Sequence, residues 1–140
     1  MDHNKDKEEV FAYWDEESCG TDMTKEKKFS HEYFSEIENK RYALEPCIKP
    51  FAQFNEYKDL NVLEVGVGTG TDFVNWLRHG AIASGIDLTD EAIENVLTWC
   101  DLAITSKYNV VRLIHRILAR IGGGNRVGWF MLIKAVKVVE

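Results

Sequence analysis

The hydrophobic pattern is weak at the amino terminus and sharpens toward the middle of the chain. Met1 to Glu9 is polar and charged and predicts a frayed end. Val10-Phe11-Ala12-Tyr13-Trp14 then crowds aromatics ahead of a polar turn, Asp15 to Gly20. Two readings fit this segment: a short helix packing its rings on the domain, or a lid that closes over a crevice and excludes water. Lys28 to Tyr42 predicts a helix with an imperfect apolar face of Tyr33, Ile37 and Tyr42. Pro46 and Pro50 bound a break, and Phe51 to Tyr57 gives another short helical turn.

The strongest pattern follows. Val62-Leu63-Glu64-Val65 is a short apolar run that reads as a buried strand, and it breaks into Gly66-Val67-Gly68-Thr69-Gly70. Phe73, Val74 and Leu77 recur at helical spacing until His79-Gly80 supplies a stop. Ala81 to Ile86 is a second apolar stretch, ending in Asp87. Thr89 can cap a further helix whose first turn carries Asp90 and Glu91, with Ile93, Val96, Leu97 and Cys100 on its apolar side. Lys107 to Ile121 reads as one basic amphipathic helix. Val110, Val111, Leu113, Ile114, Ile117, Leu118 and Ile121 are apolar, and Arg112, Arg116 and Arg120 recur every fourth residue. After Gly122-Gly123-Gly124, Val127 to Val139 predicts a final strand.

The fold class is therefore α/β, with parallel strands, flanking helices and a helical amino-terminal extension. The organisation divides into an extension or lid at 1–57, a βαβα core at 58–102, and an amphipathic helix with a closing strand at 103–140. A length of 140 residues and 45% hydrophobic content suit one small domain. The net charge of -6 disfavours nucleic acid as a partner. Cys19, Cys47 and Cys100 are far apart and odd in number, which predicts reduced thiols in a cytoplasmic protein. They and the four scattered histidines give no metal-ligand spacing. No secretory signal is apparent, and the longest apolar run, near Val127 to Val136, is interrupted by Lys134 and too short for a transmembrane segment. The arginine stripe reads first as the solvated side of a packed helix; the alternative is contact with an acidic partner or a membrane surface.

A strand, glycine loop, helix and second strand ending in an acid suit a ligand carrying an anionic group and a ribose. Helix-start amides favour negative charge, and missing side chains permit close approach. A dinucleotide fingerprint beginning at Gly66 requires glycine at position 71, where Thr71 stands, which disfavours a nicotinamide cofactor. The pattern present is Glu64-x-Gly66-x-Gly68-x-Gly70, followed by Asp87 in GIDLTDEAI. Here the chain resembles the class I S-adenosylmethionine-dependent methyltransferases. Trp14-Asp15-Glu16-Glu17-Ser18-Cys19-Gly20 and Arg41-Tyr42-Ala43-Leu44-Glu45-Pro46 are similar to passages in methyltransferases related to ubiquinone and menaquinone biosynthesis enzymes, and Gly128 to Ala135 resembles their closing strand.

The resemblance implies a partial Rossmann-like methyltransferase fold that binds S-adenosyl-L-methionine and methylates a small-molecule acceptor. By that resemblance Gly66, Gly68 and Gly70 cradle the methionine part, Val67 between them belongs to the cofactor site, Glu64 fixes the loop and helps hold the amino group, Asp87 binds the ribose hydroxyls, and Leu88 packs against the adenine. No catalytic base is identified. The strands that should follow the 89–102 helix are not visible, so the chain resembles the two ends of a methyltransferase without its middle, as in an internally deleted product or incomplete gene model. In complete members the closing strand lies away from the first two; the alternative is a minimal domain in which 127–139 pairs beside the first strand. The competing functional reading is a non-catalytic remnant acting as a binding module.

Overall fold

The computed structural model describes residues 9, 10, 12–14 and 20–103, together with the backbone of 131–136. Residues 9, 10 and 12–14 are helical; positions 15–19 and the 107–121 segment with Arg112, Arg116 and Arg120 lie outside the described residues. Among the described residues, four α-helices and three strands follow, with short 3-10 helices at Thr21–Met23 and Phe54–Tyr57: α1 at His31–Leu44, α2 at Ile48–Ala52, β1 at Asn61–Val65, α3 at Thr71–Arg78, β2 at Ile82–Asp87, α4 at Asp90–Ala103 and β3 at Met131–Val136. The sheet order is β1-β2-β3. β1 and β2 are parallel, with Asn61 opposite Ile82 and Val65 opposite Ile86. The α3 crossover supplies that parallel return.

Local chemistry accounts for the helix limits. Ser30 caps α1 by accepting from the Tyr33 N–H at 3.1 Å. Thr89 does the same ahead of α4, its Oγ1 accepting from the Ala92 N–H at 3.2 Å, as its position predicts. α3 ends at Arg78, and Gly80 at φ +88° takes the left-handed turn that brings the Ala81 N–H back to the Trp76 carbonyl at 3.0 Å. The break expected between the two prolines is instead α2, which runs through Pro50. Proline fits there because the first-turn N–H groups have no intrahelical acceptor to lose.

One core joins these pieces. Phe73, Val74 and Leu77 of α3, Ala83 of β2, and Val96, Trp99 and Cys100 of α4 are buried with Tyr33, Phe34 and Ile37 of α1. Phe34 and Trp99 stack at 5.1 Å between centroids. Tyr42, expected on the apolar face of α1, is half-buried, and Phe34 takes its place in the core. Lys28, in the turn ahead of α1, pairs with Glu91 in the first turn of α4. Burial pushes the Cys100 thiol up to about 12, with Asp101 adding to the effect, and Cys47 is exposed and free.

Two sequence expectations fail in the sheet. β1 is not a buried strand: Leu63 and Val65 are 61% and 66% exposed. The described helices that pack on the sheet lie on the Ala83 and Gly85 side, and Leu63 and Val65 point the other way. The closing strand lies neither away from the first two nor beside β1. β3 pairs antiparallel with β2, Met131 opposite Asp87 and Val136 opposite Ile82. That pairing leaves β1 at an edge of the sheet. Among the described residues no helix is long and apolar enough to cross a membrane, and no group of three or more His, Cys, Asp or Glu is placed to hold a metal ion.

Candidate functional site

The glycine loop connects β1 to α3 at the carboxyl end of the parallel pair, and each glycine has a separate physical reason. Gly66, Gly68 and Gly70 have φ of 77°, 51° and 81°, left-handed values that cost little only for glycine. A Cβ at Gly70 would stand 2.9 Å from Val96 Cγ2 and 3.1 Å from Val96 Cα, so α4 packs directly on the loop. At Gly66 and Gly68 a Cβ would meet nothing within 4 Å. These two positions leave open space along the loop.

Asp87 ties the end of β2 to this loop. Its Oδ2 accepts from the Gly68 N–H at 3.0 Å, and its Oδ1 accepts from the N–H groups of Leu88 at 2.7 Å and Thr89 at 3.0 Å, with Thr89 Oγ1 at 3.3 Å. The residue is 8% exposed. A carboxylate offers about four acceptor positions, so Oδ2 keeps capacity for one further donor and Oδ1 is filled. The glycine amides are also engaged internally: Gly66 donates to the Ile86 carbonyl at 2.8 Å and Gly70 to that of Val67 at 2.8 Å. The loop therefore closes on itself, and what Gly66 and Gly68 offer is room.

Glu64 lies on the helix-covered side of the sheet, opposite Gly85 in register. Burial, reinforced by the nearby Asp72 and to a lesser degree Asp87, pushes its carboxyl up to about 8. A hydrogen bond from the Trp76 indole and the Arg41 charge act in the opposite direction without overcoming that rise. Glu64 Oε2 is fully enclosed and has no hydrogen-bond partner. An enclosed carboxyl oxygen without a donor carries an unmet desolvation cost.

The remaining residues singled out by the sequence separate into two kinds. Val67 is 4% exposed and its side chain belongs to the core, where it closes over Gly85; only its backbone can line a site. Leu88 is half-buried directly after Asp87, next to the loop anchor. Thus Glu64, Gly66, Gly68, Gly70, Asp87 and Leu88 gather at the carboxyl end of β1 and β2.

Sequence reasoning missed the support beneath this loop. Asp72, in the first turn of α3, accepts from Arg41 Nη2 at 2.9 Å and from the Tyr42 hydroxyl at 2.8 Å. Asn75 Nδ2 donates to the Tyr42 hydroxyl at 2.7 Å and lies 3.1 Å from Glu38 Oε1. One turn on, Arg78 Nη1 contacts both Glu38 oxygens at 2.7 and 2.8 Å. Burial and the adjacent Asp72 raise the Tyr42 hydroxyl above its ordinary value. The available signal was spacing: Glu38, Arg41 and Tyr42 share one side of α1, and Asp72, Asn75 and Arg78 share one side of α3.

Comparison with protein-family models, curated proteins and solved structures finds no match for this chain.

Proposed function

We propose that the loop and its two acids form the S-adenosylmethionine site of a Rossmann-like methyltransferase domain acting on a small-molecule acceptor. The observation that carries this reading is the juxtaposition of Gly68 and Asp87 at 3.0 Å, with the partnerless Glu64 Oε2 on the adjoining strand. The chain's chemistry fits the ligand's parts. Glu64 Oε2 suits an ammonium group, the open faces of Gly66 and Gly68 suit a close-packed aliphatic tail, and the remaining capacity of Asp87 Oδ2 suits one sugar hydroxyl. Leu88 offers an apolar surface to an adenine. The bound cofactor supplies an electrophilic sulfonium methyl, and the protein's contribution is alignment and exclusion of water.

Calorimetric titration of S-adenosylmethionine into the full chain tests this. The reading predicts saturable one-to-one binding, weakened by Glu64→Gln. A folded chain that gives no heat beyond dilution overturns it.

A second reading has its own observation. The amides of all three loop glycines and most of the Asp87 carboxylate are satisfied within the protein, so the loop is complete without a ligand. That favours a non-catalytic binding module, which predicts a stable fold and no cofactor heat in the same titration.

A further inference from the structure

The packing of α1 on α4 encloses polar groups that the described protein atoms do not satisfy. Asn95 is 0% exposed, and neither its carboxamide oxygen nor its nitrogen has a hydrogen-bond partner. The Tyr33 hydroxyl, the Trp99 indole N–H and the Thr98 hydroxyl are likewise enclosed and without partners. Buried groups of this kind are ordinarily paired, with protein or with ordered water, because an unmet donor or acceptor bears the full loss of its hydration.

Helix geometry brings these groups to one seam. Glu91, Asn95 and Trp99 recur every fourth residue along α4, with Thr98 beside them. Long side chains on a helix lean back over the preceding turn, so the Trp99 indole leans toward Asn95. α1 and the turn ahead of it lie along this row. Lys28 pairs with Glu91, His31 meets the Trp99 ring edge-on at 5.6 Å between centroids, and Phe34 stacks on the same ring at 5.1 Å. Tyr33 faces the row as well: burial, with the Glu91 charge adding to it, raises its hydroxyl above the ordinary value. Asn95 is therefore bracketed by Glu91 and Tyr33 on one side and Trp99 on the other.

The chemistry of these groups selects what joins them. The indole offers only a donor, the carboxamide offers donors and an acceptor, and each hydroxyl can act either way. An anion would serve the indole and Asn95 Nδ2 but leave Asn95 Oδ1 unmet, with the Glu91 carboxylate opposing it. A cation would serve Oδ1 and the hydroxyls but not the indole. A small neutral molecule that both donates and accepts serves them all, and a buried water makes about three such bonds. We propose that ordered water is held between the Asn95 carboxamide, the Tyr33 hydroxyl and the Trp99 indole N–H, bridging α1 to α4. α1 also carries Arg41 and Tyr42, which bond Asp72 beneath the glycine loop, so the bridge helps to seat the helix that supports the loop. It does not depend on whether that loop binds a cofactor.

Oxygen-17 relaxation dispersion of the full chain in solution tests the proposal, because it reads water molecules held for longer than the protein tumbles and is blind to exchanging protons. Asn95→Leu keeps nearly the same volume and removes both polar atoms. The dispersion amplitude should fall in that variant by the equivalent of about one water or more, and an amplitude equal to the parent's overturns the proposal. If the variant does not fold, a crystal structure of the unaltered chain, at a resolution that shows ordered water, decides. Water density about 2.7–3.2 Å from both the Asn95 carboxamide and the Trp99 indole nitrogen supports the bridge. A dry seam, an ion there, or a protein group in the same place overturns it.

Discussion

Asp87 holds Gly68 across the end of the sheet: the carboxylate at the tip of β2 accepts the loop's N–H at 3.0 Å while gathering the amides of Leu88 and Thr89 on its other oxygen. One side chain thereby fixes both the glycine loop and the entry to α4. Asp87→Asn replaces an acceptor with an NH2 group that faces donors. It should lower unfolding free energy by about 1–3 kcal/mol, read as a lower urea midpoint with an unchanged slope. An unshifted midpoint would mean that the loop does not depend on this carboxylate.

Gly85 is where β2 lets the loop approach. A Cβ there would stand 2.6 Å from Val67 Cγ1 and 2.9 Å from Phe73 Cε2. Gly85→Ala should destabilise the chain by about 1–3 kcal/mol through overpacking. Adding Val67→Ala should recover part of that loss, so a double-mutant cycle in thermal unfolding should give a favourable coupling. Simple additivity would contradict the close packing.

The Tyr42 hydroxyl joins α1 to α3 by donating to Asp72 and accepting from Asn75. Tyr42→Phe should cost about 1–2 kcal/mol, because it leaves Asp72 Oδ1 short of a donor, while Asn75 Nδ2 keeps Glu38 Oε1 and the Thr71 carbonyl. Paired with Asn75→Ala, the two losses should sum to more than the double variant shows, since both substitutions break one network. Chemical denaturation of the four chains checks this.

Glu64 gives the protein a pH dependence of defined sign. Its folded value of about 8 lies above the ordinary 4.5, so the folded state holds a proton that the unfolded chain releases. The corresponding stability is complete below pH 4.5 and is lost as the pH rises toward 8. Glu64→Gln should remove this slope and should melt higher than the parent at alkaline pH. A parent chain whose melting temperature climbs through the same window would contradict the burial of this carboxyl. The same group predicts proton release when an ammonium-bearing ligand arrives near neutral pH, visible as a buffer-dependent calorimetric enthalpy.

The sequence made the glycine loop, both acids, the crossover helix and the Thr89 cap legible, because each rests on local chemistry within a few residues. The burial of β1 was not legible. Val62 to Val65 is apolar enough for a covered strand, but coverage depends on which faces the helices occupy, a tertiary property. The position of β3 was equally hidden, since strand pairing between 82–87 and 131–136 leaves no local signature. Val67 shows the limit within the motif itself: its place in the loop pattern suggested a ligand contact, whereas its side chain packs over Gly85. The α1–α3 network escaped notice because its residues sit some thirty to forty positions apart, and their complementarity emerges only once the helices are side by side.

The central claim is that the space beside Gly66 and Gly68, between Glu64 and Asp87, receives S-adenosylmethionine. Amide chemical-shift mapping of the isotopically labelled full chain during cofactor titration tests it most directly. The account predicts saturable shifts concentrated at residues 64–72 and 86–89, with the amides on the far side of α1 unmoved. A folded chain whose spectrum is unchanged by the cofactor, or whose shifts cluster away from those two segments, contradicts it.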